Sequence, residues 1–166
     1  EFQSCYIRPL CYFGSGSLSL HPGKCPTELV ILTWPWAPYL GAEGLKHGIR
    51  ATISPWVKFH SQMMPTTVKA CGQYINSILA VRDAVQRGFD EAILCNADDS
   101  LAEGSGENLF LVKDGVVFTN DDSDSILLGI TREAVIQIAR DLGYLVRIQS
   151  LELEQLLNCD EAFFTG

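Results

Sequence analysis

The chain contains no Cys-x-x-Cys pair, although its 166 residues include six cysteines: Cys5, Cys11, Cys25, Cys71, Cys95 and Cys159. Its three histidines, His21, His47 and His60, show no i, i+4 pairing that would set two ligands on one helix face. Zinc and iron–sulfur sites are therefore poorly supported, and a chain of reduced thiols in a cytoplasmic setting is the simplest account. Basic residues are scarce, 12 Lys and Arg against 20 Asp and Glu, for a net charge of -8. No basic run is available to follow a phosphate backbone, which argues against a nucleic acid as partner. The longest apolar stretches, such as Leu29 to Trp36, fall far short of a bilayer span, so no membrane association is expected. Internal repeats and low-complexity segments are absent too. There is no initiator Met and no signal-like segment, and the chain stops at Gly166 straight after a strand-like run, which suggests a piece of a longer protein.

With 47% hydrophobic, 10% aromatic and 19% charged residues, the chain reads as globular, long enough for one domain plus part of another. The β-branched and aromatic run from Cys5 to Phe13 predicts a strand, with Pro9 marking a sheet edge or a bulge. A Gly/Ser/Pro-rich loop follows to Pro26. Glu28 to Trp34 predicts a second strand, apolar through its middle and so covered on both faces. Trp34-Pro35-Trp36-Ala37-Pro38-Tyr39 forces a turn or an extended link, because each proline pushes its predecessor out of helical space. A domain boundary is expected there, with a short helical turn over 42–47.

Beyond a strand over 49–54 and an irregular segment over 55–65, Tyr74, Ile78, Val81 and Val85 recur at helical spacing, and Gly88 supplies the stop. Strands follow at 91–96, 101–103 and 108–113. Asp114-Gly115 between two apolar runs is a two-residue hairpin signal. A helix burying Val135, Ile138, Ala139 and Leu142 ends at Gly143, before a strand over 144–148, a short helix over 152–157 and a last strand over 161–165. The mixture of hairpins and helical crossovers indicates an α+β sheet or barrel with packed helices.

Chemistry centres on Pro65-Thr66-Thr67-Val68-Lys69-Ala70-Cys71-Gly72-Gln73-Tyr74. Lys69 stands alone among small and apolar residues, at or just before the start of a long helix. If desolvated, its ammonium form is disfavoured and a nucleophilic amine becomes accessible, as condensation with a carbonyl requires. The same ten residues also fit a lysine snorkelling to water at a helix entry. Glu103, ending an apolar strand in Ala102-Glu103-Gly104-Ser105-Gly106-Glu107-Asn108, could hold a protonated ring nitrogen, the partner a pyridoxal phosphate (PLP) ring needs to act as an electron sink; it also reads as a turn glutamate in water. Glu107 reads as a loop brace with Asn108. Gly129-Ile130-Thr131-Arg132 opens a helix whose free amides would form an anion site, or an ordinary capped helix with Thr131 as N-cap. Lysine, carboxylate and anion cup together are what one aldehyde-phosphate cofactor requires. Cys71 reads as a small packed residue, His60 as a loop histidine, and Asp121-Asp122-Ser123-Asp124 as a solvated loop lacking the spacing of a calcium site.

Five colinear segments carry a family resemblance. They are Tyr6-Ile7-Arg8-Pro9-Leu10, Trp36-Ala37-Pro38-Tyr39-Leu40-Gly41-Ala42-Glu43, Pro65 to Ala70, Ala102 to Phe110, and Leu128-Gly129-Ile130-Thr131-Arg132. The chain resembles the branched-chain amino-acid aminotransferases, PLP enzymes of fold-type IV. The resemblance implies C-terminal strands of a small α/β domain over 1–36, a link over 37–42, and a larger, barrel-like PLP-binding domain over 43–166, truncated at its C-terminus. It implies transamination between leucine, isoleucine or valine and 2-oxoglutarate. A D-amino-acid or (R)-amine transaminase of the same fold, or an inactive scaffold, are the alternatives. Lys69 would be the Schiff-base lysine and proton carrier, Tyr74 would bind the phenolic oxygen, and Glu103 the pyridine nitrogen. Leu127 would pack on the ring, while Gly129, Ile130 and Thr131 would form the phosphate cup. Tyr6, Arg8 and Tyr39 would receive substrate carboxylates. A dimer or higher homo-oligomer would be the working form, with amino acids and 2-oxo acids as small-molecule partners. Two departures stand out. Ala70-Cys71-Gly72-Gln73-Tyr74 replaces the frequent Ala-Gly-Gly-Asn-Tyr, and Lys58 stands where an arginine is usual.

Overall fold

The computed structural model describes residues 5–36 and 41–166, so Tyr39 and most of the expected link lie outside the described residues. The chain divides into two compact units, Glu1–Gly48 and Ile49–Gly166.

In the first unit, β1 (Tyr6–Phe13) and β2 (Thr27–Trp34) form an antiparallel pair in continuous register, from Tyr6 opposite Trp34 to Phe13 opposite Thr27. Among the described residues β1 pairs only with β2. Pro9, which has no amide hydrogen to donate, therefore sits in an edge strand without a bulge, one of its two expected placements. The expectation that β2 is covered on both faces is not met: Leu29, Ile31 and Leu32 are exposed. An apolar run signals the capacity to be buried, whereas a two-stranded ribbon does not by itself supply a second layer to do the burying. Helix α1 (Gly41–His47) follows, where the short helical turn is expected.

The second unit is mixed. One sheet runs β3 (Ala51–Ile53), β4 (Glu91–Cys95), β5 (Leu101–Gly104). The other runs β8 (Leu145–Ile148), β7 (Val116–Thr119), β6 (Asn108–Lys113), β9 (Glu161–Thr165). Each sheet has one parallel pair, and each parallel pair is bridged by a helix: α2 (Tyr74–Gln86) between β3 and β4, α3 (Ile130–Asp141) between β7 and β8. A parallel connection has to return the chain to the starting end of the sheet, and a helix does so with its own backbone bonds satisfied. The β6–β7 hairpin turns at Asp114 and Gly115 with φ of 50° and 74°, the doubly left-handed pattern that an Asp-Gly pair favours. A short helix, α4 (Leu153–Asn158), opens with a capping box between Glu152 and Gln155.

Two helix faces differ from the periodicity reading. The buried stripe of α2 is Asn76, Ala80 and Ala84, while Ile78 and Val85 are exposed. Ala80 and Ala84 pack against Ala92 and Leu94 of β4. Small side chains let the helix backbone come close to a strand, and that proximity outweighs the greater hydrophobicity of the opposite face. Likewise α3 buries Arg132, Ile136 and Ala139, with Ile138 and Leu142 exposed. The main core gathers Ile93, Leu101, Leu109, Leu111 and Leu151. No helix among the described residues is long and apolar enough to cross a membrane.

Candidate active site

Lys69 lies on the crossover from β3 to α2, in a run of tight turns. Val68 N–H donates to Pro65 O (3.2 Å), Ala70 N–H to Val68 O (2.8 Å) and Gln73 N–H to Ala70 O (3.2 Å). A single 3₁₀ turn, Cys71–Gln73, then leads into α2. The lysine enters before the helix, as its position relative to the apolar periodicity predicts. Its side chain is exposed in this chain, so the desolvation that would favour a neutral amine is not supplied by these residues alone. Cys71, expected to be packed, is exposed as well.

Glu103 is the opposite case. Its residue is 5% exposed, and three donors converge on its carboxylate. Lys58 Nζ binds Oε1, while Oε2 accepts from Asn108 Nδ2 (3.1 Å) and Leu127 N–H (3.0 Å). The turn-in-water reading of Glu103 is therefore wrong. Burial pushes the carboxyl up from its ordinary range, against the charge and hydrogen bond of Lys58, the Leu127 amide and the more distant charge of Lys69. Lys58 is held in place by a segment that extends the β4 ladder, with Ser54 N–H on Ile93 O and Lys58 N–H on Cys95 O, both at 2.8 Å. Asn76 of α2 adds a bond from Nδ2 to Val57 O (3.0 Å). Nothing local in the sequence links Lys58 to Glu103, 45 positions away.

Asn108, read from sequence only as the partner of a Glu107 brace, has a different role. Its Nδ2 is shared between Glu103 Oε2 and Leu127 O (2.8 Å), tying the start of β6 to the segment that enters α3. That segment ends at Gly129, the N-cap of α3, with φ -72° and ψ 138°. Glycine is needed here for space, because a Cβ would stand 2.2 Å from Asn108 Oδ1. Thr131 is thus inside the first turn of α3, not its cap, and its Oγ1 donates to Gly166 O (3.3 Å). Helix geometry leaves the N–H groups of Ile130, Thr131 and Arg132 without an i−4 acceptor, so the end of α3 presents positive partial charge. Arg132 itself is 0% exposed and unavailable as an anion ligand. It turns back to Asn120 O (2.7 Å), Asp122 (3.2 Å) and Glu133, stapling the loop that precedes α3.

The Lys69 turn, Glu103 with Lys58 and Asn108, and the amino end of α3 open onto one cavity of about 460 Å³. Lys69, Tyr74, Glu103, Leu127, Gly129, Ile130 and Thr131, the expected cofactor residues, all line it. Lys58, Thr67, Gln73, Ser77, Asn108 and Thr165 join them, unforeseen from sequence because they converge only through the fold. Glu107 also lines the cavity, and its Oε2 is buried without a hydrogen-bond partner. The reading of Glu107 as a brace for Asn108 finds no bond to support it.

The two expected substrate residues that are described, Tyr6 and Arg8, lie in the first unit. Arg8 Nη2 donates to Tyr6 Oη (3.0 Å), and its guanidinium stands 5.1 Å from the centre of the Tyr6 ring. Tyr6 also packs with Trp34 and Trp36, at ring separations of 5.1 and 4.5 Å. Tyr39 lies outside the described residues.

The amino-transferase class IV family matches residues 1–166. The branched-chain-amino-acid aminotransferase of Escherichia coli (strain K12) is 43% identical over 100% of this chain and 54% of its own length. The chain thus spans about half the length of the curated relatives it matches. The solved structure of the E. coli enzyme is similar at a TM-score of 0.95 and 42% identity, over 98% of this chain and 54% of that one. The branched-chain aminotransferase of the archaeon Thermoproteus uzoniensis, solved with norvaline, gives 0.91 and 44%, over 98% and 53%. The branched-chain amino acid aminotransferase of Thermobaculum terrenum, solved in its PLP form, gives 0.88 and 33%, over 98% and 52%. With the family pattern running the full length of the sequence and the fold shared at this level, the chain belongs to the class IV aminotransferases.

Proposed function

We propose that the complete protein is a PLP-dependent aminotransferase that moves the amino group between branched-chain L-amino acids and 2-oxoglutarate, yielding branched-chain 2-oxo acids and glutamate. One observation carries this reading: an amine (Lys69), a buried carboxylate (Glu103) and the amino end of α3 open onto a single cavity. The cavity volume, about 460 Å³, falls in the range of small-molecule sites. The donor set fits PLP group by group. A carboxylate offers about four lone-pair sites, and Glu103 has three occupied, leaving one for a ring N–H. The free amides of Ile130 and Thr131 suit a phosphate. The substrate class is supported by the names of the relatives.

Bound PLP supplies an aldehyde that captures the substrate amine and a ring that accepts the electron pair released at the substrate Cα. Around it, Lys69 Nζ would be the amine that holds the cofactor and the group that moves a proton at the substrate Cα. Glu103 would hold the ring nitrogen, and the charge of Lys58 works against the rise that burial imposes on the Glu103 carboxyl. Tyr74 would donate to the phenolic oxygen, Leu127 would pack on the ring, and Gly129, Ile130 and Thr131 would hold the phosphate. Tyr6 receives the substrate α-carboxylate, and Arg8 with Tyr39 the side-chain carboxylate of glutamate. A dimer or higher homo-oligomer is the working form of this reading.

In the complete protein, Lys69→Ala should abolish the visible absorption band of lysine-bound PLP and lower leucine turnover on the order of a thousandfold or more. Glu103→Gln should lower turnover on the order of a hundredfold while changing PLP affinity much less. A borohydride-reducible PLP adduct on another lysine of the Lys69→Ala protein would overturn the assignment. A donor panel of leucine, D-alanine and an (R)-amine identifies the substrate class, with leucine expected to be the only one consumed rapidly.

A further inference from the structure

Gln73 closes three hydrogen bonds around Lys69. Its Nε2 donates to both Pro65 O (2.6 Å) and Val68 O (2.9 Å), and its backbone N–H donates to Ala70 O (3.2 Å). A primary amide has two hydrogens, so each carbonyl can receive one of its own. Val68 O accepts from Ala70 N–H as well, at 2.8 Å. This places Lys69 at the centre of a three-residue turn. Lys69 is not among the residues with positive φ, so the turn is the inverse, low-strain form. The Gln73 side chain therefore ties the two carbonyls that precede the lysine, and its backbone N–H holds the Ala70 carbonyl that follows it. Gln73 also lines the same cavity as Lys69 and Glu103.

We propose that Gln73 is a positioning residue, aiming Lys69 at the cavity by pinning with its side-chain amide the two carbonyls, Pro65 O and Val68 O, that lead into the lysine. This rests on the reading of Lys69 as the cofactor lysine. The physical need is specific. The amine sits at the end of a flexible four-carbon stem, so its reach is set by where the Cα is held and in which direction the Cα–Cβ bond points. An exposed lysine in a loop with no anchor would search a wide volume. The α-helix begins only at Tyr74, after the single 3₁₀ turn at Cys71–Gln73, so regular α-helix bonds do not anchor Lys69. A displacement of about 1 Å at a reacting group costs on the order of a hundredfold in rate. A partial loosening of this turn is expected to cost about tenfold.

The experiment uses the complete protein, freed of cofactor, and follows the covalent attachment of added PLP. In that step Lys69 Nζ forms a carbon–nitrogen double bond to the aldehyde carbon and one water leaves. Gln73→Leu keeps the side-chain bulk and removes both donors; Gln73→Asn keeps the donors on a shorter stem. The leucine variant should attach PLP about tenfold more slowly and show a matching fall in kcat with little change in the KM for leucine. The asparagine variant should recover most of both. A merely structural role would lower Tm alone. Gln73→Leu with a wild-type attachment rate, or Gln73→Asn as slow as Gln73→Leu, overturns the proposal. Lys69→Ala separates the two readings. If it still attaches PLP with the same visible band, the underlying assignment of Lys69 fails. If it does not, while Gln73→Leu behaves as wild type, only the role of Gln73 fails.

Discussion

Two glutamates four positions apart show how burial assigns different properties to the same residue type. Glu103 sits inside β5 with three donors on its carboxylate. Glu107 sits in the following turn, and its Oε2 has no partner. Burial pushes the Glu107 carboxyl up to about 7, with the like charge of Glu91 as the second cause. The native state then holds a proton that the unfolded chain has already released. Stability is fully present below pH about 4.5 and is lost as the pH rises through about 7. The loss is reduced by solvent, since Glu107 is only half-buried. Glu107→Gln, neutral at every pH, should flatten the fall of Tm across that window and leave the variant at least as stable as the parent above pH 7. Thermal unfolding at a series of pH values checks this, and a variant that keeps the full slope would locate the titration elsewhere.

Helix α2 shows what an element gains from small residues. Ala80 and Ala84, both 0% exposed, touch Ala92 and Leu94 of β4, and that contact seats the helix whose entry turn carries Lys69 and Gln73. Larger side chains on this stripe would lift the helix off the sheet. Ala84→Leu should therefore destabilise the protein by about 1–3 kcal/mol, read from urea unfolding, because the site is packed on both sides. Val85→Ala, one position along and exposed, serves as the neutral control. Helix α3 is seated by other means: Ile136 packs with Phe110 and Val117, and the buried Arg132 grips the Asn120 carbonyl. Its N-terminus is placed by Gly129, which leaves room for Asn108, and Asn108 bridges to Glu103. Glu103 and the segment that enters α3 are thus joined through Asn108 and Leu127.

For the whole chain, the net charge of -8 and pI near 4.7 meet a surface that carries apolar side chains. Ile7, Phe13, Leu29 and Ile31 are each at least 60% exposed on the β1–β2 ribbon, and Leu142 and Leu145 lie open on the second unit. Mutual repulsion keeps such surfaces apart only while the charge lasts. The 166-residue chain should accordingly self-associate as the pH is lowered toward 4.7, and sooner at high salt, where repulsion is screened. Light scattering against pH and ionic strength measures this. A scattering minimum near the pI would show that charge is not what holds the surfaces apart.

Local chemistry was legible in the sequence wherever the cause lies within a few residues. The Asp114-Gly115 turn, the entry of Lys69 ahead of α2, the opening of α3 at Gly129 and the edge placement of Pro9 all follow from backbone preferences of neighbouring residues. Lys69, Glu103 and Gly129 to Thr131 were also named from sequence, as separate groups whose shared cavity no local pattern shows. Tertiary structure alone decided how those groups meet. Which face of α2 is buried depended on β4 arriving beside its alanines, and helical periodicity could not choose between two apolar faces. The pairing of Lys58 with Glu103 needed β4 to align a segment 45 positions upstream. The exposure of Lys69 and of β2 reflects what stands beside them in space, which no local pattern encodes. Backbone preference acts over a turn or two, whereas desolvation and charge pairing act over distances in space, so the first was written along the chain and the second emerged only when it folded.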